Sequence, residues 1–149
     1  MPSIYLDACC LNRPFDDQTI DRIRLEAEAV LLILRRVESG EWWWVSSETL
    51  DFEINQNPDP ERRARVALMM SHAHRFILAE QKEAERAQKL ETMGFRSFDA
   101  LHLACAESGG ADVFLTTDDR LLSQAVRASE ELKVRVENPL VWLKEATEK

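Results

Sequence analysis

Four carboxylates stand where an apolar run meets a polar one. Asp7 follows Ile4-Tyr5-Leu6, Glu53 lies just beyond an aromatic stretch, Asp99 heads the run from Ala100 to Ala106, and Asp118 comes shortly after Val113-Phe114-Leu115. Asp99 is the sharpest case. The residues after it are apolar or small almost all the way round a helix, and such a helix is normally buried. A carboxylate at the head of a buried helix is costly unless something compensates it. The helix N-terminus supplies part of that compensation, and a bound cation supplies more. If the four acids converge, they raise one another's pKa values, and the cluster persists best around a hard divalent ion. Oxygen ligands without a thiolate array point to Mg²⁺ or Mn²⁺. Such an ion can activate water and stabilise an in-line displacement at phosphorus. The chemistry implied is phosphodiester hydrolysis.

The elements that must carry these acids follow from the apolar pattern. Ile4–Leu6 reads as a buried first strand ending at Asp7, and residues 8–17 read as a loop marked by Asn12, Pro14 and the acidic pair Asp16-Asp17. A helix is expected from about Thr19 to Ser39, with apolar residues recurring at three and four and Gly40 as its stop. Trp42–Val45 reads as a second strand. Three adjacent tryptophans point to both of its faces, so at least one belongs to the core; a base-stacking or dimer surface is the competing reading. Ser46-Ser47 cap a short helix, 48–55. Asp59 as cap and Pro60 at the first helical position start another, to about His74. A short strand at 76–78, a polar helix at 80–93, the Asp99 helix and a buried strand at 113–115 come next. A helix carrying Leu121 and Ala125, an edge strand at 133–136 and a C-terminal helix from Pro139 complete the chain.

Strands alternating with helices mean right-handed crossovers and a parallel sheet covered on both faces. The expectation is one α/β domain over 1–149, a three-layer α/β/α sandwich with a central parallel sheet of four to five strands. Sites in such sheets form outside the carboxyl ends of the strands, which is where Asp7, Glu53, Asp99 and Asp118 are expected to meet.

Each position has a plainer reading. Glu48, Asp51 and Glu53 share one short helix, and pattern alone leaves the choice among them open. Either Asp118 or Asp119 can cap the following helix; Asp119 is expected to cap it while Asp118 points into the site. Asp16 and Asp17 read as loop solvation or a cap, and Thr116 as a hydroxyl at the site edge. His102 and Cys105, three apart on a helix, read as packed core residues more than as metal ligands. A third reading of the acids makes them helix caps only.

The 149 residues carry a net charge of -8, which argues against coating nucleic acid through general positive potential. It leaves room for a nuclease with acids at its centre and arginines on its rim, and Arg outnumbers Lys 14 to 5. Arg13, Arg96 and Arg120 lie nearest the acids in sequence and, with the Thr116 hydroxyl, are the candidates for substrate contact. Three cysteines with one adjacent pair form no disulfide framework. No apolar run reaches membrane-spanning length, and the N-terminus has no signal-peptide pattern, so a cytoplasmic location is the default.

Tyr-Leu-Asp7 after an N-terminal strand, Ser-Ser followed by Glu53-Ile, Phe-Asp99-Ala-Leu-His-Leu-Ala and Phe-Leu-Thr116-Thr-Asp118 together resemble the PIN domain, over nearly the whole chain and in the family's order. The resemblance implies a metal-dependent ribonuclease holding Mg²⁺ or Mn²⁺ through Asp7, Glu53, Asp99 and Asp118, and it selects Glu53 over Glu48. It also implies kinship with VapC-type toxins, which act on RNA, are inhibited by a cognate antitoxin and are commonly homodimers. The family often has Thr or Ser after the first Asp and Asn next; here Ala8 and Cys9 stand there, and Asn12 lies further on. The competing readings are a degenerate PIN domain that only binds, and a receiver-like signalling domain. The latter needs a Lys after a late strand and an Asp ending a central one; Lys133 precedes the last strand, and 76–78 runs into Ala79-Glu80.

Overall fold

A computed structural model describes residues 1–148. Its strands are β1 (Ser3–Leu6), β2 (Trp43–Ser47), β3 (Arg75–Ile77), β4 (Val113–Leu115) and β5 (Arg135–Glu137). Its α-helices are α1 (Ala8–Asn12), α2 (Asp21–Glu38), α3 (Glu48–Asn55), α4 (Pro60–Met70), α5 (Gln81–Thr92), α6 (Ser97–Ser108), α7 (Asp119–Arg127) and α8 (Pro139–Thr147).

All five strands are parallel, in the order β3-β2-β1-β4-β5. The sheet is therefore the expected one at its upper strand count, and right-handed crossovers put helices on both faces. Helices α2 and α8 pack together, as do α5 and α6, while α6 lies against β2 and β3. Buried on both faces, the central strands read as unbroken apolar runs: Ile4, Tyr5, Leu6, Phe114 and Leu115 are wholly inaccessible to solvent. Register pairs Tyr5 with Phe114, and their rings stack with centroids 5.1 Å apart. Trp44 is wholly buried and Trp42 nearly so, whereas Trp43 is 45% exposed; the three tryptophans divide between core and surface as the strand pleat requires.

The chain leaves β1 in one direction along the sheet to reach β2 and β3, then returns across it to β4 and β5. This reversal lies between β1 and β4, and it opens a crevice at their carboxyl ends. Asp7 and the Thr116–Asp118 segment flank it.

Three local expectations need correction. Residues 8–12 are a helix, not a loop, followed by a 3-10 turn over Arg13–Phe15. Ala8, Cys10 and Leu11 are buried, and that packing outweighs the local turn chemistry of Asn12 and Pro14. Helix α4 stops at Met70 instead of running to His74. The His74 backbone N–H donates to the Trp44 carbonyl (2.9 Å), and the Trp44 N–H donates to His74 Nδ1 (3.0 Å). This pulls the chain into extended pairing with β2. Strand β2 continues through Ser47, which ends the strand and also caps α3 by accepting the Leu50 N–H.

Helix α6 approaches the sheet closely because of Gly109. A Cβ built there would lie 2.4 Å from Val45 Cγ1 and 3.1 Å from Ile77 Cγ1, so only glycine lets the helix end seat on β2 and β3.

Candidate active site

Asp7 extends β1 by donating its N–H to the Leu115 carbonyl at 2.9 Å. It then caps α1, its Oδ1 accepting the Ala8 N–H at 2.9 Å. Its Oδ2 accepts the Thr116 hydroxyl at 2.9 Å, with the Cys9 thiol 3.5 Å away. The carboxyl is 6% exposed. Burial raises its pKa, the His102 side chain pulls it down, Glu53 pushes it up, and the bonds from Thr116 and Ala8 lower it; the net is upward.

Helix α6 presents Asp99 in its first turn and His102 three residues later, a spacing that puts both on one face. Burial raises the Asp99 pKa to about 6, helped by the charges of Asp7, Asp118 and Glu53 and opposed by His102.

His102 is 1% exposed and bonded at both ring nitrogens: Nε2 lies 2.5 Å from Glu53 Oε1, and Nδ1 lies 2.7 Å from the Tyr5 hydroxyl. The Tyr5 hydroxyl is in turn 2.6 Å from Ser47 Oγ. The Leu50 N–H donates to Ser47 Oγ, and the Tyr5 hydroxyl links Ser47 to His102 in one continuous chain that ends on Glu53. Burial lowers the His102 pKa, but the Glu53 bond and the charges of Asp7, Glu53 and Asp99 outweigh it and raise the value overall. Asp7, Glu53 and His102 each bring a ligand atom to within 4.8 Å of the other two.

The three acids competing on α3 are separated by the fold. Glu53 reaches the cluster through His102; Glu48 accepts the Ala79 N–H at 3.0 Å, away from it; Asp51 faces solvent. The caps on α7 are the reverse of the expectation. Asp118 is the cap, its Oδ1 accepting from Arg120 and Leu121. Asp119 instead forms a fork with Arg22, both contacts at 2.7 Å. The Asp118 cap uses only Oδ1, so its other oxygen keeps its lone pairs, and its charge still acts on Asp99.

The remaining candidates fall in different places. Thr116 is wholly buried and directs its hydroxyl at Asp7 while accepting the Asp118 N–H at 3.1 Å, so it holds two acids in place from beneath and is not a surface hydroxyl. Arg13 is committed to Glu26 (2.9 Å) and Asp16 (3.2 Å). Arg96 and Arg120 line a cavity of about 210 Å³ together with Asp99, Arg127 and Gln124. Sequence reasoning missed Arg127, which lies nine residues beyond Asp118, the nearest of the four predicted acids. It also favoured core packing for His102 and weighed a metal role only with Cys105; the signal for a place in the cluster was its position one turn beyond Asp99. Cys9 occupies the space beside Asp7 and Thr116, its sulfur 3.3 Å from Thr116 Oγ1 and accepting the Thr117 N–H at 3.3 Å. Asn12 is turned away, bonded to the Ala8 carbonyl and to Asn57.

The donor set suits a hard divalent cation. Asp7 and Glu53 converge with His102, and the carboxyls of Asp7 and Asp99 both have raised pKa values, first through burial. An oxygen-rich, crowded and partly desolvated site of this kind favours Mg²⁺ or Mn²⁺ over softer metals.

Known proteins resemble this chain in family pattern and in fold. The family model described as PIN domain matches residues 4–127. No curated protein matches the chain by sequence. Among solved structures, VapBC2 from Rickettsia felis bound to a DNA fragment from their promoter is similar at a TM-score of 0.53 and 14% identity, over 91% of this chain and 98% of that one. PAE2754 from Pyrobaculum aerophilum is similar at a TM-score of 0.53 and 16% identity, over 97% of this chain and 90% of that one. At such identities the likeness is one of fold.

Proposed function

The chain belongs to the PIN-domain family, and from that premise we propose that it is a metal-dependent endoribonuclease, the toxin of a toxin–antitoxin pair, working as a homodimer in the cytoplasm. The observation that carries the reading is the convergence of Asp7, Glu53 and His102, joined by Asp99, whose pKa burial first and the other acids second raise to about 6. The toxin role is supported by the family's resemblance to VapC-type proteins and by the shared fold with VapBC2. Among the described residues no helix is long and apolar enough to cross a membrane.

Asp7, Glu53, Asp99 and Asp118 would hold Mg²⁺ or Mn²⁺. When bound, such an ion supplies a water of lowered pKa and offsets charge on the phosphate. The chain's own residues do the rest. Thr116 and the Ala8 amide fix the Asp7 carboxylate, and the Asp118 cap fixes that side chain at the start of α7. His102, anchored through Tyr5 to Ser47, holds Glu53 by one oxygen and leaves the other for the site. Fixing of ligands by outer partners of this kind commonly affects activity 10–100-fold, on the order of what a metal site loses when they are removed. Arg96, Arg120 and Arg127 place positive charge beside Asp99, where a phosphate must come.

The test is RNA cleavage by Asp7→Asn and Asp99→Asn proteins in Mg²⁺ or Mn²⁺. Cleavage is expected to fall to background with the fold retained by circular dichroism; undiminished cleavage by both variants would refute the assignment. One observation favours a second reading, a catalytically weak PIN domain that serves as a binding module. Ala8 and Cys9 stand where the family often has a hydroxyl and an amide, and the thiol beside Asp7 is a poor donor. Calorimetric titration separates the two readings, because the enzyme reading requires Mg²⁺ or Mn²⁺ binding in the millimolar range.

A further inference from the structure

Two partly exposed aromatic rings stand at the rim of the acid cluster. Phe52 and Phe98 are the residues immediately before Glu53 and Asp99, and they are 55% and 43% exposed. They come from α3 and α6, and their rings stack on each other with centroids 6.0 Å apart and planes 21° from parallel. Phe98 also lies 5.9 Å from the His102 ring, so the pair borders the cluster on its Glu53–His102 side. At Asp99 the cluster is bordered by the cavity of about 210 Å³ that Arg96, Arg120 and Arg127 line. Among the described residues none of these three arginines forms a salt bridge; Arg127 meets only the neutral Gln124, at 2.9 Å. By contrast Arg13, Arg22, Arg62, Arg86 and Arg135 are all paired with acids. In a chain of net charge -8, three unpaired guanidiniums around one cavity are a local reversal of sign.

We propose that the rim is a subsite for a single-stranded polynucleotide. One unpaired base stacks on the Phe52–Phe98 ledge, and a neighbouring phosphate sits in the Arg96–Arg120–Arg127 cavity, with the acid cluster between them. The ligand chemistry follows from the pairing of the two features. Exposed aromatic faces take bases of any identity, because each has a π-face, and cationic grooves track the backbone. A duplex keeps its bases stacked and cannot offer one to the ledge. The charge complementarity also favours a polyanion over an apolar peptide as occupant. This subsite rests on the reading of the acid cluster as a phosphodiester site, but it concerns binding and not cleavage.

The experiment is equilibrium binding by fluorescence anisotropy, with Mg²⁺ present and probes that resist cleavage. The probes are a labelled 2′-O-methyl oligouridylate, the same length of single-stranded DNA, an abasic oligomer with the same phosphates, and a duplex. The parent protein should prefer base-bearing single strands of either sugar to the abasic oligomer and the duplex by roughly tenfold or more. Phe52→Leu/Phe98→Leu should abolish the preference over the abasic oligomer. Arg96→Gln and Arg120→Gln should weaken base-bearing and abasic probes alike. Each should also lower the slope of log affinity against log salt by about 0.7 for every phosphate that is no longer neutralised. Thermal melts of every variant check folding. Unchanged discrimination in the double Phe variant overturns the proposal, as does equal binding of duplex. So does a change in oligomeric state on gel filtration with RNA binding unaltered, which would assign the ledge to a protein contact. A chain that binds as described yet cleaves nothing leaves the subsite standing and refutes only the nuclease reading.

Discussion

Asp99→Asn removes a negative charge from a place where folding makes it expensive, and the structure sets the size of the effect. The carboxyl is raised from 3.8 to about 6, first by burial and then by Asp7, Asp118 and Glu53. At about 1.4 kcal/mol per unit this corresponds to ~3 kcal/mol. Asp99 is only partly buried, so solvent screening reduces the figure to about 2 kcal/mol. The sign follows from proton uptake. Between 3.8 and about 6 the native state holds a proton that the unfolded chain has released, so stability falls as pH rises through that window and the penalty is complete above it. Asparagine does not titrate. In EDTA at neutral pH the variant should therefore be more stable than the parent by about 2 kcal/mol in urea denaturation, or roughly 4–8 °C in thermal midpoint. The gap should close as pH falls toward the ordinary carboxylate value. Adding Mg²⁺ should reverse the order. The parent gains about 2.7 kcal/mol at a hundredfold excess over its dissociation constant, more than its deficit of about 2 kcal/mol, while the variant, with a ligand removed, gains little. A variant less stable than the parent in EDTA at neutral pH, or a gap indifferent to pH, would refute the reasoning that crowded, desolvated carboxylates define this site.

Asp118→Asn keeps the cap on α7, since Asn caps as well as Asp, and should change stability by less than about 0.5 kcal/mol while cleavage is lost; Asp118→Ala should lose the cap as well, at about 1 kcal/mol in denaturation experiments. His102→Ala leaves the Tyr5 hydroxyl with Ser47 as its one remaining partner and opens a cavity in the core, and should cost about 3 kcal/mol, with cleavage down 10–100-fold even at temperatures where the variant is fully folded. Gly109→Ala puts a methyl 2.4 Å from Val45 Cγ1 and should destabilise the protein by roughly 1–3 kcal/mol through overpacking of α6 on β2, read by thermal melting. Cys9→Thr restores a hydroxyl beside Asp7 without changing the packing volume greatly; if the thiol limits the site, cleavage rises several-fold at constant thermal midpoint.

Much of the architecture was legible because the signals are local. The runs Ile-Tyr-Leu and Val-Phe-Leu are long enough in apolar surface to demand burial on both faces, and Asp59-Pro60 and Asn138-Pro139 cap and start helices by backbone chemistry that acts within three residues. Strands alternating with helices leave few topologies open. Once the sheet is parallel, Asp7, Asp99 and Asp118 fall at its carboxyl edge by their place in the chain. Glu53 was separated from Glu48 and Asp51 only by family resemblance, since all three share one short helix.

Tertiary structure alone decided the rest. His102 and Glu53 are 49 residues apart, and Tyr5 and His102 are 97 apart; no periodicity reports a bond across such distances. Thr116 became a buried anchor for Asp7 because β1 and β4 are neighbours in the sheet. Arg22 reached across to Asp119 and left the cap to Asp118, which two adjacent, chemically identical residues cannot reveal by themselves. Arg127 joined Arg96 and Arg120 only when α7 was laid beside the start of α6. The sequence determined most of the strands and helices, α1 excepted, and the order in which the acids occur along the chain. The packing of those segments determined which side chains touch, because burial and hydrogen bonding are settled by neighbours that are distant along the chain.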